Sequence, residues 1–347
     1  MALQASGQIK YSEIIAEFGT PNSGGIGEYR LSESVGTLTN LPLDIGVPQT
    51  GQIKFSDFYS KRLNQVVDLY STSVNNTSRQ NAKDRWNNGN VHVVGSTKTG
   101  KTKPPNTIDD RVIINLNATI SSVKGTQTHC ALRTGNWDTG TSLEIEIGTS
   151  GKLYGSGGDG GTGGSANETP GTDGQTGSSA LGIQYPCTIN NLGVIQSGYG
   201  GGGGGGGNTR TTGGGKKSGA VTNGSSGGGG GGGAGLPAGA GGGVQTPLAV
   251  GGGSAGSGGA AGSLNGQSPG GAGGSEAGTG GNSSPVNNTA TKADNGGVYS
   301  VDGSQQSANG GIGGNNGFAI ITNQGSAPSV TGGGSITGRI VTSTNPT

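Results

Sequence analysis

The strongest sequence match to a functional motif is Gly95–Thr102, where the order G-S-T-K-T-G-K-T fits the pattern of a phosphate-binding loop. Such a loop needs its lysine and hydroxyl residue to open a helix whose amide groups hold phosphate. A strand-like run, Val91–Val94, does precede it, but Pro104–Pro105 follow almost at once. Two consecutive prolines cannot open a long helix. We therefore expect a lysine-bearing hairpin here and no nucleotide site.

The remaining chemically suggestive residues form no constellation either. His129 and Cys130 are adjacent, and neighbours on a strand point to opposite faces, so they do not make a nucleophile and its base. His92 lies at no familiar zinc spacing from them. Gly157–Thr162 approaches the calcium nonapeptide but has threonine where that pattern needs aspartate. We expect no catalytic residues, no metal and no cofactor, and hence a protein that is not an enzyme.

Glycine dominates the second part of the chain. Of 82 glycines, 15 precede residue 151, which leaves 67 from residue 151 onward. Since a chain without side chains cannot form an ordinary core, the backbone itself must be the core. The natural arrangement is a bundle of extended three-fold helices (polyglycine II), with three residues per turn. The unbroken runs Gly200–Gly207 and Gly227–Gly233 predict central helices, and glycine at every third position over 253–262 predicts a border helix. Collagen is disfavoured because this phase slips at Asn265.

The region before the glycine runs carries β-branched, partly alternating segments separated by turn residues, which indicate strands. The predicted strands are Asp68–Val74, Val91–Val94, Arg111–Leu116, Ala118–Val123, Leu143–Ile147, a unit within Leu181–Ile195, and a closing strand at Ile336–Val341. Either a β-sandwich or the first rungs of a β-solenoid would fit. The predicted fold class is mainly β plus a polyglycine-II helix sandwich, with a small mixed α/β segment at the start.

That opening segment contains an internal repeat. Ser6–Ile14 (S-G-Q-I-K-Y-S-E-I) returns as Thr50–Phe58 (T-G-Q-I-K-F-S-D-F). Each copy predicts a short strand and then a short helix capped by its serine. About 65 residues of such fragments make a poor independent core, so we expect a segment that docks on a partner, with a self-contained minidomain as the alternative. The docking residues predicted are Ile9, Tyr11, Ile15, Phe18, Ile53, Phe55, Phe58 and Tyr59. The predicted domains are 1–65, 66–153 and 154–347.

Bulk properties narrow the function class. The formal net charge of +1 gives no electrostatic footprint for nucleic acid. No apolar segment is long enough for membrane insertion, and the first ten residues lack the design of a signal peptide. The chain is therefore expected to be made and kept in a cytoplasm. Its two cysteines, Cys130 and Cys187, do not make a disulfide framework.

Segments that interrupt the glycine runs are the candidates for binding. A glycine helix that turns through such segments would present them at its ends, and their mixed polar and aromatic residues suit surface recognition. The candidate residues are Arg210, Lys216, Lys217, Leu264, Gln267, Asn287, Asp294 and Tyr299.

These features resemble a known family. Ala131–Gly135, Gly151–Gly164 and Thr188–Ile195 leading into Gly200–Gly207 are similar to glycine-rich tail-fibre domains of tailed phages. The second half resembles the receptor-recognising tip adhesins of T-even-like phages, in which a sandwich of polyglycine helices carries variable loops at its distal end. The doubled opening motif resembles openings found on many tailed-phage structural proteins, although it differs from the attachment domain of those adhesins. The attachment partner therefore does not carry over from the resemblance. No receptor residue carries over either, because the loop sequences match none that can be assigned to a receptor.

The resemblance implies a non-enzymatic virion protein, a tail-fibre or tail-tip adhesin assembled in the host cytoplasm. Its expected partners are other phage structural proteins, through the first segment, and a host glycan or outer-membrane protein, through the loops. Assembly of the chain into a homo-oligomer is compatible with the sequence. The main alternative is a purely structural appendage of the neck, baseplate or capsid, in which the glycine lattice serves rigidity alone.

Overall fold

The structure is a computed structural model, and it describes residues 3–69, 79–103, 110–164, 170–205, 208–212, 221–225, 229–243, 305–307 and 311–347. Helices are few and short. They are α1 (Tyr11–Phe18), α2 (Ala82–Asn87), α3 (Ser96–Thr99) and two single-turn 3₁₀ helices, Ile26–Tyr29 and Phe55–Phe58.

Most regular structure is β. The strands are β1 (Glu33–Val35), β2 (Leu38–Leu41), β3 (Asn64–Asp68), β4 (Gln80–Asn81), β5 (His92–Val93), β6 (Arg111–Leu116), β7 (Thr119–Ser121), β8 (Cys130–Arg133), β9 (Ser142–Ile147), β10 (Lys152–Tyr154), β11 (Ser179–Ile183), β12 (Thr188–Asn191), β13 (Val194–Gln196), β14 (Asn208–Thr212), β15 (Val221–Ser225), β16 (Gln305–Ser307), β17 (Ile320–Thr322), β18 (Ser329–Thr331), β19 (Ser335–Thr337) and β20 (Ile340–Val341).

Three parallel sheets stack the chain into a β-solenoid. The first sheet runs β5-β3-β6-β9-β12-β18, the second β7-β10-β13-β19 and the third β4-β8-β11-β17-β20; β5 pairs antiparallel with β3 at the edge of the first sheet, and all other pairs are parallel. Each turn of chain contributes one strand to each sheet in the same order, and successive turns pair in parallel register. The first turn has β3 and β4 and, among the described residues, no second-sheet strand. Of the two architectures that the sequence allows, the parallel pairing identifies the solenoid.

The solenoid core comes from the inward-facing positions of these strands. In β9, Leu143, Ile145 and Ile147 are buried in the core while Glu144 and Glu146 face outward, as the two-residue period of a strand requires. Arg111–Leu116 forms a strand with the predicted bounds. The expected strand at Asp68–Val74 begins earlier, at Asn64, and ends at Asp68; residues 70–74 lie outside the described part of the chain.

The first 60 residues or so pack a second hydrophobic cluster onto the first sheet. Phe18, Tyr29 and Phe58 are fully buried there and contact one another edge to face, with ring centroids 5.5–6.1 Å apart. Val66 and Ile113, from β3 and β6, belong to the same cluster. We call this cluster, built mainly from residues 3–63, the amino-terminal unit.

The expected serine caps in this unit are wrong. The residue before helix α1 is Lys10, and its amide donates to the Glu13 carboxylate at 2.7 Å; in the second copy the Lys54 amide donates to Asp57 at 2.7 Å. The serine lies inside the first turn in each case. A carboxylate three residues into the turn satisfies the free amide better, because it also faces the positive end of the helix dipole.

Six extended glycine-rich segments are found among the described residues, in excursions that start from one corner of the solenoid, between second-sheet and third-sheet strands. They are segments a (155–164), b (170–178), c (197–205), d (229–235), e (236–243) and f (311–317). Segment a follows β10 and b leads into β11; c follows β13 and f leads into β17. The third and fourth turns of the solenoid therefore each open into a glycine-rich excursion.

Backbone hydrogen bonds join these segments with a three-residue period. The amides of Gly198, Gly201 and Gly204 in segment c donate to carbonyls of segment b at 2.9 Å, and the carbonyls of the same residues accept from segment f at 2.7–2.8 Å. Segment a donates from Gly158, Gly161 and Gly164 to the intervening carbonyls of segment c at 2.7–2.8 Å. Segment d joins segments a, c and e in the same manner. One residue in three thus faces each neighbour.

The close approach of these backbones accounts for the glycine content. A Cβ placed on Gly201 would lie 2.1 Å from the Asp159 carbonyl oxygen, and one on Gly314 would lie 2.0 Å from that of Gln175. Segments b and f, at the border of the described block, need glycine only at every third position: Gly171, Gly174 and Gly177, and Gly311, Gly314 and Gly317. The run over 253–262, predicted as a border helix, lies outside the described residues.

Candidate functional site

The end of the described glycine segments farthest from the solenoid is called here the distal end. Hydrogen bonds place the residues there side by side: Gly164 donates to Gly205 at 2.8 Å, Gly163 to Gly243 at 3.1 Å, and Gly311 to Gly204 at 2.7 Å. The described part of the block therefore stops at 164, 205 and 243 and resumes at 170, 229 and 311 at this one end. The stretches of sequence between these points, called here the insertions, are residues 165–169, 206–228 and 244–310.

A three-stranded antiparallel sheet is formed by parts of two of these insertions. β14 pairs with β15 on one side and with β16 on the other. Arg210 occupies the central strand, in register with Asn223 and Gln305. Strands from the second and third insertions are thus joined in one sheet, which a linear sequence pattern did not reveal.

The binding candidates from the sequence fall on these same two insertions. The described backbone includes Arg210. Lys216, Lys217, Leu264, Gln267, Asn287, Asp294 and Tyr299 lie outside the described residues.

Polar side chains within the glycine segments fix which segments are neighbours. Asp159 accepts from the Ala240 amide at 2.6 Å and pairs with Lys124 at 2.5 Å. Asp173 accepts from the Ile312 amide at 2.6 Å, and Thr172 accepts from that of Thr162 at 2.7 Å. Asp159 is not among the residues singled out from the sequence, where the surrounding glycines fail to match a calcium repeat. Its signal was the three-residue spacing of Ser156, Asp159 and Thr162, the non-glycine positions of segment a.

The phosphate-loop match has a different fold from a phosphate loop. Its single helical turn, α3, precedes Lys101, whose ammonium donates to the Ala16 carbonyl. The Glu33 carboxylate already lies at the start of that turn, accepting from His92 at 3.0 Å and contacting Thr97 at 3.4 Å. Burial alone would raise the pKa of Glu33, but the hydrogen bonds from Gly95 and His92 outweigh it and hold the pKa below its usual value. A phosphate would meet this carboxylate.

Other reactive groups are structural in the described part of the chain. Burial raises the pKa of the Cys130 thiol to about 12, so it is no nucleophile at neutral pH. Within the described ranges, no group of three His, Cys, Asp or Glu side chains could hold a metal ion. No helix among those residues is long and apolar enough to cross a bilayer.

The family of the chain follows from its match to a family model. Residues 77–341 match the model described as phage tail fibre adhesin Gp38. The chain belongs to the phage tail fibre adhesin Gp38 family. The matched span includes the solenoid from β4 onward and the glycine block of the adhesin, and it leaves out most of the amino-terminal unit. Its role as a tail-fibre adhesin agrees with the expectation drawn from the sequence.

One solved structure is similar to the adhesin over nearly its whole length. It is the crystal structure of the gp37-gp38 adhesin tip complex of the bacteriophage S16 long tail fiber, with 19% sequence identity, a TM-score of 0.39, and coverage of 98% of this chain and 99% of that one. No curated protein gives a significant match.

The predicted docking residues of the adhesin divide into buried and accessible ones. Phe18 and Phe58 are fully buried and Ile9 is nearly so, which commits them to the unit's own core. Tyr11, Ile15, Ile53 and Tyr59 are half-buried, and Phe55 is 42% exposed. Tyr59 donates to the Gly7 carbonyl, so the end of the second repeat holds the start of the first. Of the eight, Phe55 offers the largest apolar surface to another molecule.

The outer face of the first sheet carries one strongly perturbed carboxyl group. Arg111 pairs with Glu144 at 3.1 Å and with Asp44 of the amino-terminal unit at 3.6 Å. Glu146, on the same face of β9, has no such cation and accepts from Asn190 at 2.7 Å. Burial raises the pKa of Glu146 to about 7, the neighbouring Glu144 adds to the rise, and the Asn190 hydrogen bond opposes it.

The Glu146 carboxyl makes the free energy of unfolding depend on pH, and the direction of this dependence follows from its raised pKa. Because its folded pKa of about 7 exceeds its usual value, its contribution is fully present below about pH 4.5 and is lost as the pH rises through 7. Glu146→Gln keeps an acceptor for Asn190 and cannot ionise. We expect it to raise the free energy of unfolding by about 1–2 kcal/mol at pH 8, after allowance for solvent screening, and to change it little at pH 4.

Urea denaturation of wild type and Glu146→Gln at both pH values measures this difference. Equal stability of the two proteins at pH 8 would contradict the assignment.

Proposed function

We propose that this adhesin binds the host cell through the insertions at the distal end of its glycine block, while the amino-terminal unit attaches it to the virion. The observation that carries the proposal is the common origin of insertions 165–169, 206–228 and 244–310 at that end. Separate loops that begin and end side by side can form one recognition surface on a rigid base, an arrangement that binding proteins use widely. The proposed target is a host surface glycan or outer-membrane protein.

The glycine block that carries the insertions is proposed to be a polyglycine-II sandwich. The three-residue hydrogen-bond period and the contacts that any Cβ would make support this interpretation. Segment c has hydrogen-bonded neighbours in segments a, b, d and f, as a central helix should. At the usual rise for such a helix, its nine residues would carry the insertions about 25–28 Å from the solenoid. Distance of that order would keep the recognition surface clear of the rest of the virion.

The attachment role is assigned to the amino-terminal unit because it has its own hydrophobic cluster and the exposed apolar residues Phe55 and Ile45, 42% and 60% exposed. The partner is another phage structural protein. The division into docking (1–65), β (66–153) and glycine-rich (154–347) domains is kept as part of this proposal. Assembly in the host cytoplasm is part of it as well.

Competition for the host surface tests the proposed function. The purified full chain, incubated with cells of the strain on which the phage grows, should bind them saturably and slow adsorption of the phage. The surface molecules of these cells should stay uncleaved after the chain has bound, because binding without bond cleavage is expected. Free chain that neither binds these cells nor competes would overturn host binding and leave the purely structural appendage.

A further inference from the structure

The internal repeat is kept at exposed positions as well as in the protein's own core. Five positions are identical in the two copies, and four of these pairs are exposed in both: Gly7 and Gly51, Gln8 and Gln52, Lys10 and Lys54, Ser12 and Ser56. The fifth, Ile9 and Ile53, belongs to the core of the unit, where the other core pair differs, with Ile14 in one copy and Phe58 in the other. A duplicated element that only had to fold would be free to vary its exposed side chains. Here four exposed pairs are unchanged.

The two copies also present these side chains on the same local backbone. Gly7 and Gly51 have φ of +94° and +76°, a conformation that favours glycine, and a Cβ on either would meet nothing within 4 Å. Their carbonyls are each held by a donor from elsewhere in the unit, the Tyr59 hydroxyl and the Arg30 guanidinium. The backbone demand explains the identical glycines. It leaves the identical glutamine and lysine unexplained.

Within the described part of the chain, those glutamines and lysines have no work to do for the fold. The side-chain amides of Gln8 and Gln52 make no hydrogen bond there, and the ammonium groups of Lys10 and Lys54 make no ion pair. The copies nevertheless lie together, since Tyr11 and Phe55 at equivalent positions contact edge to face at 6.3 Å. Two equal sets of unpartnered polar groups are thus displayed from one unit.

We propose that the two copies are paired docking sites for a homo-oligomeric virion protein, two of whose subunits each offer the same peptide segment to one copy. This inference rests on the attachment role proposed above for the amino-terminal unit. Identical side chains on identical backbone recognise identical chemistry, and a symmetric oligomer is the usual source of two identical segments. The lysine calls for a carboxylate on that segment, and the glutamine amide for an exposed peptide group.

Attachment to particles that lack the adhesin tests the pairing. Such particles, from a phage deleted for this gene, are mixed with purified full chain, and bound chain is measured after sedimentation. Lys10→Ala and Lys54→Ala should each weaken binding about tenfold and the double variant about a hundredfold, because equivalent sites contribute comparably and independently. Lys152→Ala, which removes an exposed lysine of β10, is the matched control and should bind like wild type.

Each outcome decides a separate point. Thermal unfolding of all variants should match wild type, and Lys10→Arg should restore binding, since the cation rather than the fold is at issue. A double variant that binds like wild type, or single variants of which only one matters, would overturn the paired sites while leaving attachment itself in place. Wild-type chain that does not bind the particles would overturn attachment and the pairing together. Competition for host cells is unaffected by either result.

Discussion

Gly201→Ala is expected to lower the free energy of unfolding of the glycine block by about 3 kcal/mol, and Gly243→Ala to leave it nearly unchanged. At Gly201 the new methyl would lie 2.1 Å from the Asp159 carbonyl oxygen, so a neighbouring backbone must move. That movement strains packing and lengthens the hydrogen bonds that Gly201 makes with Gln175 and Gly314, at 2.9 and 2.8 Å. Calorimetry measures the effect, because both tryptophans, Trp86 and Trp137, belong to the solenoid core and report on the block only indirectly.

Gly243 provides a control within the same block. Among the described residues, a Cβ there would meet only the Thr162 methyl, at 3.8 Å, and its backbone is not in the left-handed region. Alanine at such a site reduces the freedom of the unfolded chain and is expected to be neutral or stabilising by less than about 1 kcal/mol. Equal losses at Gly201 and Gly243 would mean that glycine is needed for flexibility and not for close backbone contact.

Local pattern was enough to predict several elements of the fold. β-branched residues placed a strand over Arg111–Leu116, and the glycine runs indicated segments whose backbones pack directly on one another. Both signals depend only on residues close in sequence. The order in which segments neighbour one another could not be predicted, because polyglycine presents the same amides and carbonyls on every side. Side chains such as Asp159 and Asp173 settle it through contacts 81 and 139 residues away.

The solenoid could not be predicted from local sequence pattern for a similar reason. Individual turns are interrupted by segments of very different length, and the fourth turn is interrupted between β13 and β17 by residues 197–319. No fixed sequence period therefore marks the turns. In the amino-terminal unit, an apolar helical face looks the same whether it packs on its own chain or on a partner. Phe18 and Phe58 were predicted to dock, and the structure buries both in the unit's core.

Replacing Leu264–Pro269 and Ser283–Asp302 by glycine-serine segments of equal length is expected to reduce phage adsorption about a hundredfold or more. Binding energy in recognition surfaces is concentrated in a few side chains, and these replacements remove the candidates Leu264, Gln267, Asn287, Asp294 and Tyr299 together. The glycine block and the amino-terminal unit are left unchanged, so assembly should be unaffected. The adsorption rate constant of variant particles is the quantity to measure.

The decisive measurement is that adsorption rate taken together with the adhesin content of the same particles. Replacing the exposed solenoid turn Ser326–Ala327 by glycine-serine gives a control that alters the surface outside the insertions. Normal adhesin content with adsorption lost in the insertion variant and kept in the control is the expected result. Normal content with unchanged adsorption in both would show that the insertions do not bind the host, and the proposal that the glycine block displays a host-binding surface would be wrong.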